Sequence, residues 1–316
     1  MDARGALGLV RGGHTVKRIV LLVTLLTAAT LSAQTSPQAD RDLKGAIDLH
    51  IYTEPDSIAR SIDALEAAKL ARDRGMRAIA LKHHYDQTAG LAYLARKLYP
   101  GIEVFGGVDM DLTIGGLNPR AVEYMTQVTG GYGKFVFMPT NDAEAQVKYS
   151  QQTRPFVKVS ENGVLVPEAK AVIAMVAKHD LILGSGNISA EETLMVFREG
   201  KRQGVTRMIA THGMNAPTFL TIDQAREAAS LGAFIEIVGG NLAGRDAQAK
   251  IDRFADQIRA IGPASVIMAS DLGQKGNALP PEGFAVFIDA MRKKGFSDEE
   301  LDRMTRKNPA TLLGLK

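Results

Sequence analysis

The sequence predicts an α/β fold of the (β/α)8 TIM-barrel type, and three observations carry that expectation. Its 316 residues, 45% of them hydrophobic, are enough for one large core, and a barrel of roughly 250 residues is ordinary at this length. From residue 44 onward, short β-branched runs alternate with amphipathic helical stretches, and eight such units follow one another. Polar and titratable residues recur at the ends of those runs, where a parallel barrel gathers its chemistry.

The first 33 residues read as an export signal. Arg4, Arg11, Lys17 and Arg18 precede the apolar run from Ile19 to Leu31, and Ser32-Ala33-Gln34 supplies small residues for cleavage. The apolar run is shorter than the roughly 20 residues a spanning helix needs, so no stable membrane anchor is expected. The segment before Val16 adds little to such a signal, which leaves Met1 and Val16 as alternative starts. Residues 34–43 are polar and are expected to be a flexible lead-in to the barrel at 44–316.

The first strand is expected over 45–52, where Ala46, Ile47, Leu49 and Ile51 interleave with Asp48, His50 and Tyr52 and place the three polar side chains on one face. Ile62, Leu65, Ala68 and Leu70 follow a helical period that Gly75 closes. A second strand is predicted over 77–84 with its helix over 88–98, and a third strand over 101–111, after which Asn118-Pro119 opens a helix as cap and first-turn proline. The fourth strand is Lys134 to Thr140. Phe156–Val159 and Val164–Val166 flank Glu161-Asn162-Gly163, which predicts a β-hairpin inserted after strand four. Four further strands, at 181–183, 207–211, 233–238 and 265–269, each follow a helix, and no linker splits off a second domain.

Charge and cysteine content narrow the function. The leader holds four basic residues and one acidic residue, which leaves 34 of each sign in the rest of the chain. The electrostatic argument for nucleic acid or anionic membrane as a partner therefore disappears, and a small-molecule substrate is expected. The chain has no cysteine, which excludes disulfides, thiol catalysis and Cys-ligated zinc. Gly130-Gly-Tyr-Gly-Lys134 lacks the hydroxyl residue of a phosphate loop, and no serine elbow is present.

The strand ends carry the chemistry. They offer Asp48, His50 and Tyr52 on strand one, Lys82, His83 and His84 on two, Asp109 and Asp111 on three, and Thr140 and Asn141 on four. Strand five ends on Ser185 and Asn187, six on His212, seven on Glu236 and Asn241, and eight on Asp271. Histidines from strands one, two and six converge with an aspartate from strand eight on one mouth, a donor set that suits a divalent ion such as zinc. His83 has the opposite parity and is expected to face the helices, while His179 reads as an ordinary helix cap.

Asp48-x-His50, Thr211-His212-Gly213, Ser270-Asp271 and the closing Asn308-Pro-Ala-Thr-Leu-Leu-Gly-Leu315 resemble the amidohydrolase and phosphotriesterase superfamily of metal-dependent hydrolases. Leu81-Lys-His-His84 with Thr88, Gly115-Gly-Leu-Asn-Pro119, Met138-Pro-Thr140 and Asp271-Leu-Gly-Gln274 resemble a poorly characterised branch of it. The resemblance spans about residues 44–316. It implies that His50, His212 and Asp271 hold one divalent ion, zinc first with manganese or magnesium as alternatives, and that His84 supplements them. It also implies that Asp271 activates the attacking water and that Lys82 or His84 polarises the substrate carbonyl. Tyr52 stands where the superfamily has a second histidine, which makes it a candidate donor to a substrate oxyanion, and Asn187 stands where a fifth-strand histidine is expected. Asn187 and Thr140 are assigned to the substrate. The implied activity is hydrolysis of an amide, lactone or ester bond in a small molecule. The competing expectation is a barrel that binds a small ligand without metal or turnover, for which the two substituted positions speak.

Overall fold

The structure is a computed structural model that describes residues 37–316; the expected export signal lies outside the described residues. Eight parallel strands run in the order β1 (Ile47–Tyr52), β2 (Ala78–Lys82), β3 (Glu103–Asp109), β4 (Gly133–Phe137), β7 (Ile182–Gly184), β8 (Met208–Ala210), β9 (Ala233–Val238) and β10 (Val266–Ala269). The expected hairpin is present after β4 in short form, with Ser160–Glu161 (β5) antiparallel to Val164–Leu165 (β6). It follows a helix that the sequence reading had not placed, α5 (Glu144–Tyr149).

The residues flanking the strands close the ring. The Tyr52 N–H donates to the Leu272 carbonyl at 2.8 Å, and the Asp271 N–H donates to the His50 carbonyl at 3.0 Å. Between them, the Asp48 carboxylate accepts the Ser270 N–H at 3.0 Å, so a side chain supplies an acceptor at the seam between β1 and β10. Gly273 follows at φ +117°, and a Cβ there would lie 1.9 Å from the Tyr52 carbonyl oxygen.

Helices return the chain between strands, and local chemistry fixes several starts. Asp63, Ser189 and Thr221 each cap a helix reciprocally with Glu66, Glu192 and Gln224, starting α2 (Ala64–Asp73), α7 (Ala190–Arg202) and α8 (Ile222–Ser230). The helix α3 is Ala89–Leu98, α4 is Pro119–Thr126, α6 is Pro167–Lys178, α9 is Ala247–Ile261 and α10 is Pro280–Lys293. Asn118 caps α4 and His179 closes α6, both as expected.

Two expectations need correction. Residues 37–43, read as part of a flexible lead-in, form the helix α1 (Pro37–Leu43), with Asp42 and Leu43 buried. Asp42 pairs with Arg292 of α10, and Arg306 donates to the carbonyls of Arg41 and Asp42, so tertiary contacts rather than a local pattern order the segment. Second, the polar residues of β1 do not alternate strictly. The pairing register with β2 shifts between Asp48 and Ile51. Ile47 and Leu49 join Phe105, Phe135, Ile182 and Ile209 inside the barrel, whereas Ile51 joins the larger cluster beneath the helices. The irregularity lets His50 and Tyr52 turn to the mouth although Leu49 faces the interior below. At the opposite end, Leu312 and Leu313 of α12 (Asn308–Leu313), which follows α11 (Asp298–Asp302) and a π-helical turn, join the same interior cluster and plug it.

Candidate active site

The mouth is built around His50 on β1. Its Nδ1 lies 3.1 Å from Glu236 Oε2 on β9, and its Nε2 lies 3.1 Å from the Tyr52 hydroxyl and 3.5 Å from Asp271 Oδ1. Burial pushes the imidazole pKa down, but Glu236 and Asp271 more than reverse this and hold it above its ordinary value. Burial also pushes Glu236 up, and His50 outweighs it, so the carboxyl titrates below its usual range. A buried acid and a buried base thus sustain each other's charge.

His212 stands beside this pair, its ring stacked on His50 at 6.0 Å between centroids. Its backbone N–H donates to the same Glu236 Oε2 at 2.9 Å, so one carboxylate oxygen holds both the His50 ring and the turn that carries His212. Burial, with the His50 charge added, lowers His212 to about 4. Its Nδ1 is buried without a partner. His212 and Asp271 adopt φ values of +32° and +53°, a region that non-glycine residues rarely occupy and that concentrates at functional sites. Burial and the Glu236 charge raise Asp271, whose side chain keeps 27% of its surface open.

A second group forms on the β2–β4 side. Lys82 Nζ donates to Asp109 Oδ2 at 2.6 Å and lies 4.0 Å from the centre of the Phe137 ring. Lys82 is 2% exposed, and its side chain is engaged with Asp109. His84 Nδ1 lies 2.9 Å from the Thr140 hydroxyl, which is in turn 2.5 Å from Asp111 Oδ2. Burial and the Lys82 charge push His84 well below its ordinary value, leaving it neutral. Burial and the neighbouring Asp109 push Asp111 up to about 7, against the hydrogen bonds from Thr140.

Tyr52 packs against both groups, 5.3 Å from the His50 ring and 4.9 Å from the His84 ring. Arg60 covers Tyr52 at 4.3 Å. Burial and the Asp271 charge raise the phenol well above its usual pKa, so Tyr52 keeps its proton. Tyr52 thus meets His84 on one side and His50 on the other, and His84 belongs to the Thr140 group rather than to the His50–Asp271 pair. Asn187 is 7% exposed and donates to Gln146 of α5 at 2.9 Å, so its amide is engaged with that helix. His83 donates from Nε2 to the Thr53 carbonyl at 2.8 Å and takes no part in the mouth.

The donor set was tested for a divalent ion. Among the described residues no three His, Asp or Glu groups stand ready-gathered as ligands. The chemistry of the donors nevertheless fits one. A carboxylate on Nδ1 is the usual second-layer partner of a ligating histidine and fixes the tautomer with Nε2 free to bind. His50 Nε2 and Asp271 Oδ1 are 3.5 Å apart, near the spacing of two ligands on bonds of about 2.0–2.2 Å. His212, with its ring centroid 6.0 Å from that of His50, keeps a buried Nδ1 without a partner.

Sequence reasoning had named Glu236 only as a strand end and gave it no role. Its signal was present: a lone carboxylate within the apolar run Ala233-Phe-Ile-Glu-Ile-Val238 has to be paired.

Fold and mouth together define a (β/α)8 barrel whose titratable side chains gather at the C-terminal ends of the strands. Residues 45–236 match a family described as a family of unknown function, DUF6282, and the chain belongs to it. No curated protein matches the chain. Among solved structures, an amidohydrolase from Pseudomonas aeruginosa is similar over 87% of this chain and 98% of its own, with a TM-score of 0.61 at 11% identity. An amidohydrolase from Burkholderia multivorans, with bound HEPES, is similar over 86% of this chain and 99% of its own (TM-score 0.57, 13% identity). The organophosphorus hydrolase from Deinococcus radiodurans gives 85% and 92% (TM-score 0.56, 13% identity). At these identities the likeness is one of fold.

Proposed function

We propose that this protein is a hydrolase of a small-molecule amide, lactone or ester bond, and that one divalent ion, zinc or else manganese or magnesium, serves at His50, His212 and Asp271. The observation that carries the reading is the shared Glu236 oxygen, which fixes the ring of one candidate ligand and the strained turn of another. The names of the similar barrels, two amidohydrolases and an organophosphorus hydrolase, support the reaction class.

An ion bound there supplies Lewis-acid polarisation of the substrate oxygen and lowers the pKa of water. The chain's own residues supply the rest. Glu236 accepts the Nδ1 proton of His50 and thereby directs Nε2 into the mouth. Asp271, open to the mouth and 3.5 Å from His50 Nε2, takes a proton from the attacking water on its carboxylate and returns it to the leaving group. Tyr52, its hydroxyl 3.1 Å from His50 Nε2, keeps its phenolic proton and donates it to the developing oxyanion.

His212→Ala tests the reading: the variant should lose bound ion and turnover of ester and lactone probes together, with its circular dichroism unchanged. Full turnover in the variant would remove His212 from the site. The second reading, a ligand-binding barrel without turnover, is favoured by the fifth barrel strand, which brings an asparagine, Asn187, its amide nitrogen held by Gln146, in place of a histidine. Wild-type protein that takes up no zinc or manganese would support it.

We also propose export to the periplasm or medium, on the residue pattern of positions 1–33 alone. Protein recovered from the host envelope should have an intact mass that starts near Gln34; a retained leader would contradict this. Among the described residues no helix is long and apolar enough to cross a membrane.

A further inference from the structure

The Asp111–Thr140–His84 chain has a direction that hydrogen-bond accounting can assign. Asp111 Oδ1 accepts the backbone N–H groups of Thr140 and Asp142, at 2.7 and 3.1 Å. Oδ2 accepts the Asn141 N–H at 3.1 Å and meets the Thr140 hydroxyl at 2.5 Å. Three of those donors are backbone N–H groups whose direction is fixed. A carboxylate offers about four acceptor positions; three hold backbone N–H groups, and the contact with the Thr140 hydroxyl is the fourth. With Asp111 ionised, above its pKa of about 7, the short contact is Thr140 O–H donating to Asp111.

A hydroxyl has one proton, so Thr140 Oγ1 can only accept from His84 Nδ1. Asp109 Oδ2, 3.8 Å from the same nitrogen, favours a proton there as well. With Nδ1 protonated and the ring neutral, Nε2 carries the lone pair. Among the described residues that nitrogen has no hydrogen-bond partner, and it is not fully buried. The His84 side chain is 12% exposed and packs on Tyr52, at the edge of the mouth.

We infer that Thr140 and Asp111 are positioning residues that hold His84 as its Nδ1–H tautomer, so that its Nε2 faces the mouth as a second acceptor beside the His50 cluster and selects substrates that bring a hydroxyl or amide N–H to that edge. The inference deepens the hydrolase reading and rests on it for the substrate, but the tautomer is measurable without any turnover. The arrangement mirrors the logic of a carboxylate that orients a histidine, with a threonine hydroxyl inserted between the two. Because the hydroxyl both donates and accepts, serine can replace it and valine cannot.

The test is nitrogen NMR of full-length protein with 15N-labelled histidine, with His84 assigned by loss of its signals in His84→Gln. The expected result is a protonated, pyrrole-type Nδ1 and an unprotonated, pyridine-type Nε2 at about pH 8.5, where Asp111 is ionised. Thr140→Ser should keep that pattern, and Thr140→Val should lose it. Diethyl pyrocarbonate, which reacts with an accessible unprotonated imidazole nitrogen, should modify His84 several-fold faster in wild type and Thr140→Ser than in Thr140→Val, as mapped by mass spectrometry. A protonated Nε2 in the wild type would overturn the inference even if Thr140→Val failed to fold, and so would an unchanged tautomer in a folded Thr140→Val. Loss of hydrolysis in the wild type alongside the expected tautomer would instead count against the hydrolase reading alone.

Discussion

Asp48 is a carboxylate buried to 0% exposure in a strand that otherwise reads as apolar, and its surroundings explain why it is there. Its Oδ1 accepts the His50 N–H at 3.2 Å and the Ser270 N–H at 3.0 Å, while Oδ2 is buried without a partner. Burial, only partly offset by the Ser270 hydrogen bonds, raises Asp48 from 3.8 to about 6. The folded protein therefore binds a proton in the window between about pH 4 and 6 that the unfolded chain has released. Stability from this group is present at the acid end and is lost as pH rises through that window. Asp48→Asn keeps the Oδ1 acceptor and removes the charge. It should stabilise the fold above pH 6 by up to roughly 3 kcal/mol, following from about 1.4 kcal/mol per pKa unit, and change little near pH 4. Urea midpoints of both proteins at the two pH values check this; an equal difference at both would refute it. The sequence showed Asp48 as polar in an apolar strand, but a strict period of two put it on the same face as His50, because a register shift leaves no compositional trace.

At the scale of elements, ring closure is the contact that the mouth depends on. Asp271 hangs from the β10 end, and its backbone donates to the His50 carbonyl, so the seam sets the distance between two candidate ligands. Gly273 makes the approach possible, since its φ of +117° and the carbonyl oxygen of Tyr52 leave no space for a side chain. Gly273→Ala should cost on the order of 2–4 kcal/mol from strain and overlap and should weaken ion binding in whatever remains folded. Thermal unfolding reads the first effect and zinc titration the second; a variant as stable as wild type would show that the seam is looser than described. The strands and the capped helices were legible, since Asp63, Ser189 and Thr221 each precede a helix with Glu or Gln three residues on. The short helices α1 and α5 were not, because each is held by distant contacts such as Arg292 with Asp42 or Asn187 with Gln146 rather than by an apolar period.

For the whole molecule, parallel strands bring residues more than 180 positions apart into one cluster, as with His50 and Glu236. The sequence placed His50, His212 and Asp271 at a common mouth because strand ends in a barrel must meet there. It could not show that Glu236 would tie two of them together, or that Lys82 would turn to Asp109, since a choice among several partners within reach depends on side-chain directions that only the folded ring fixes. The central claim is that the Glu236-held cluster takes one divalent ion. Calorimetric titration of zinc into metal-stripped wild-type protein tests it most directly. The account predicts one saturable equivalent whose affinity rises with pH, because the ion displaces a proton that Glu236 and Asp271 favour on His50. No saturable uptake, more than one equivalent, or an affinity indifferent to pH would contradict it.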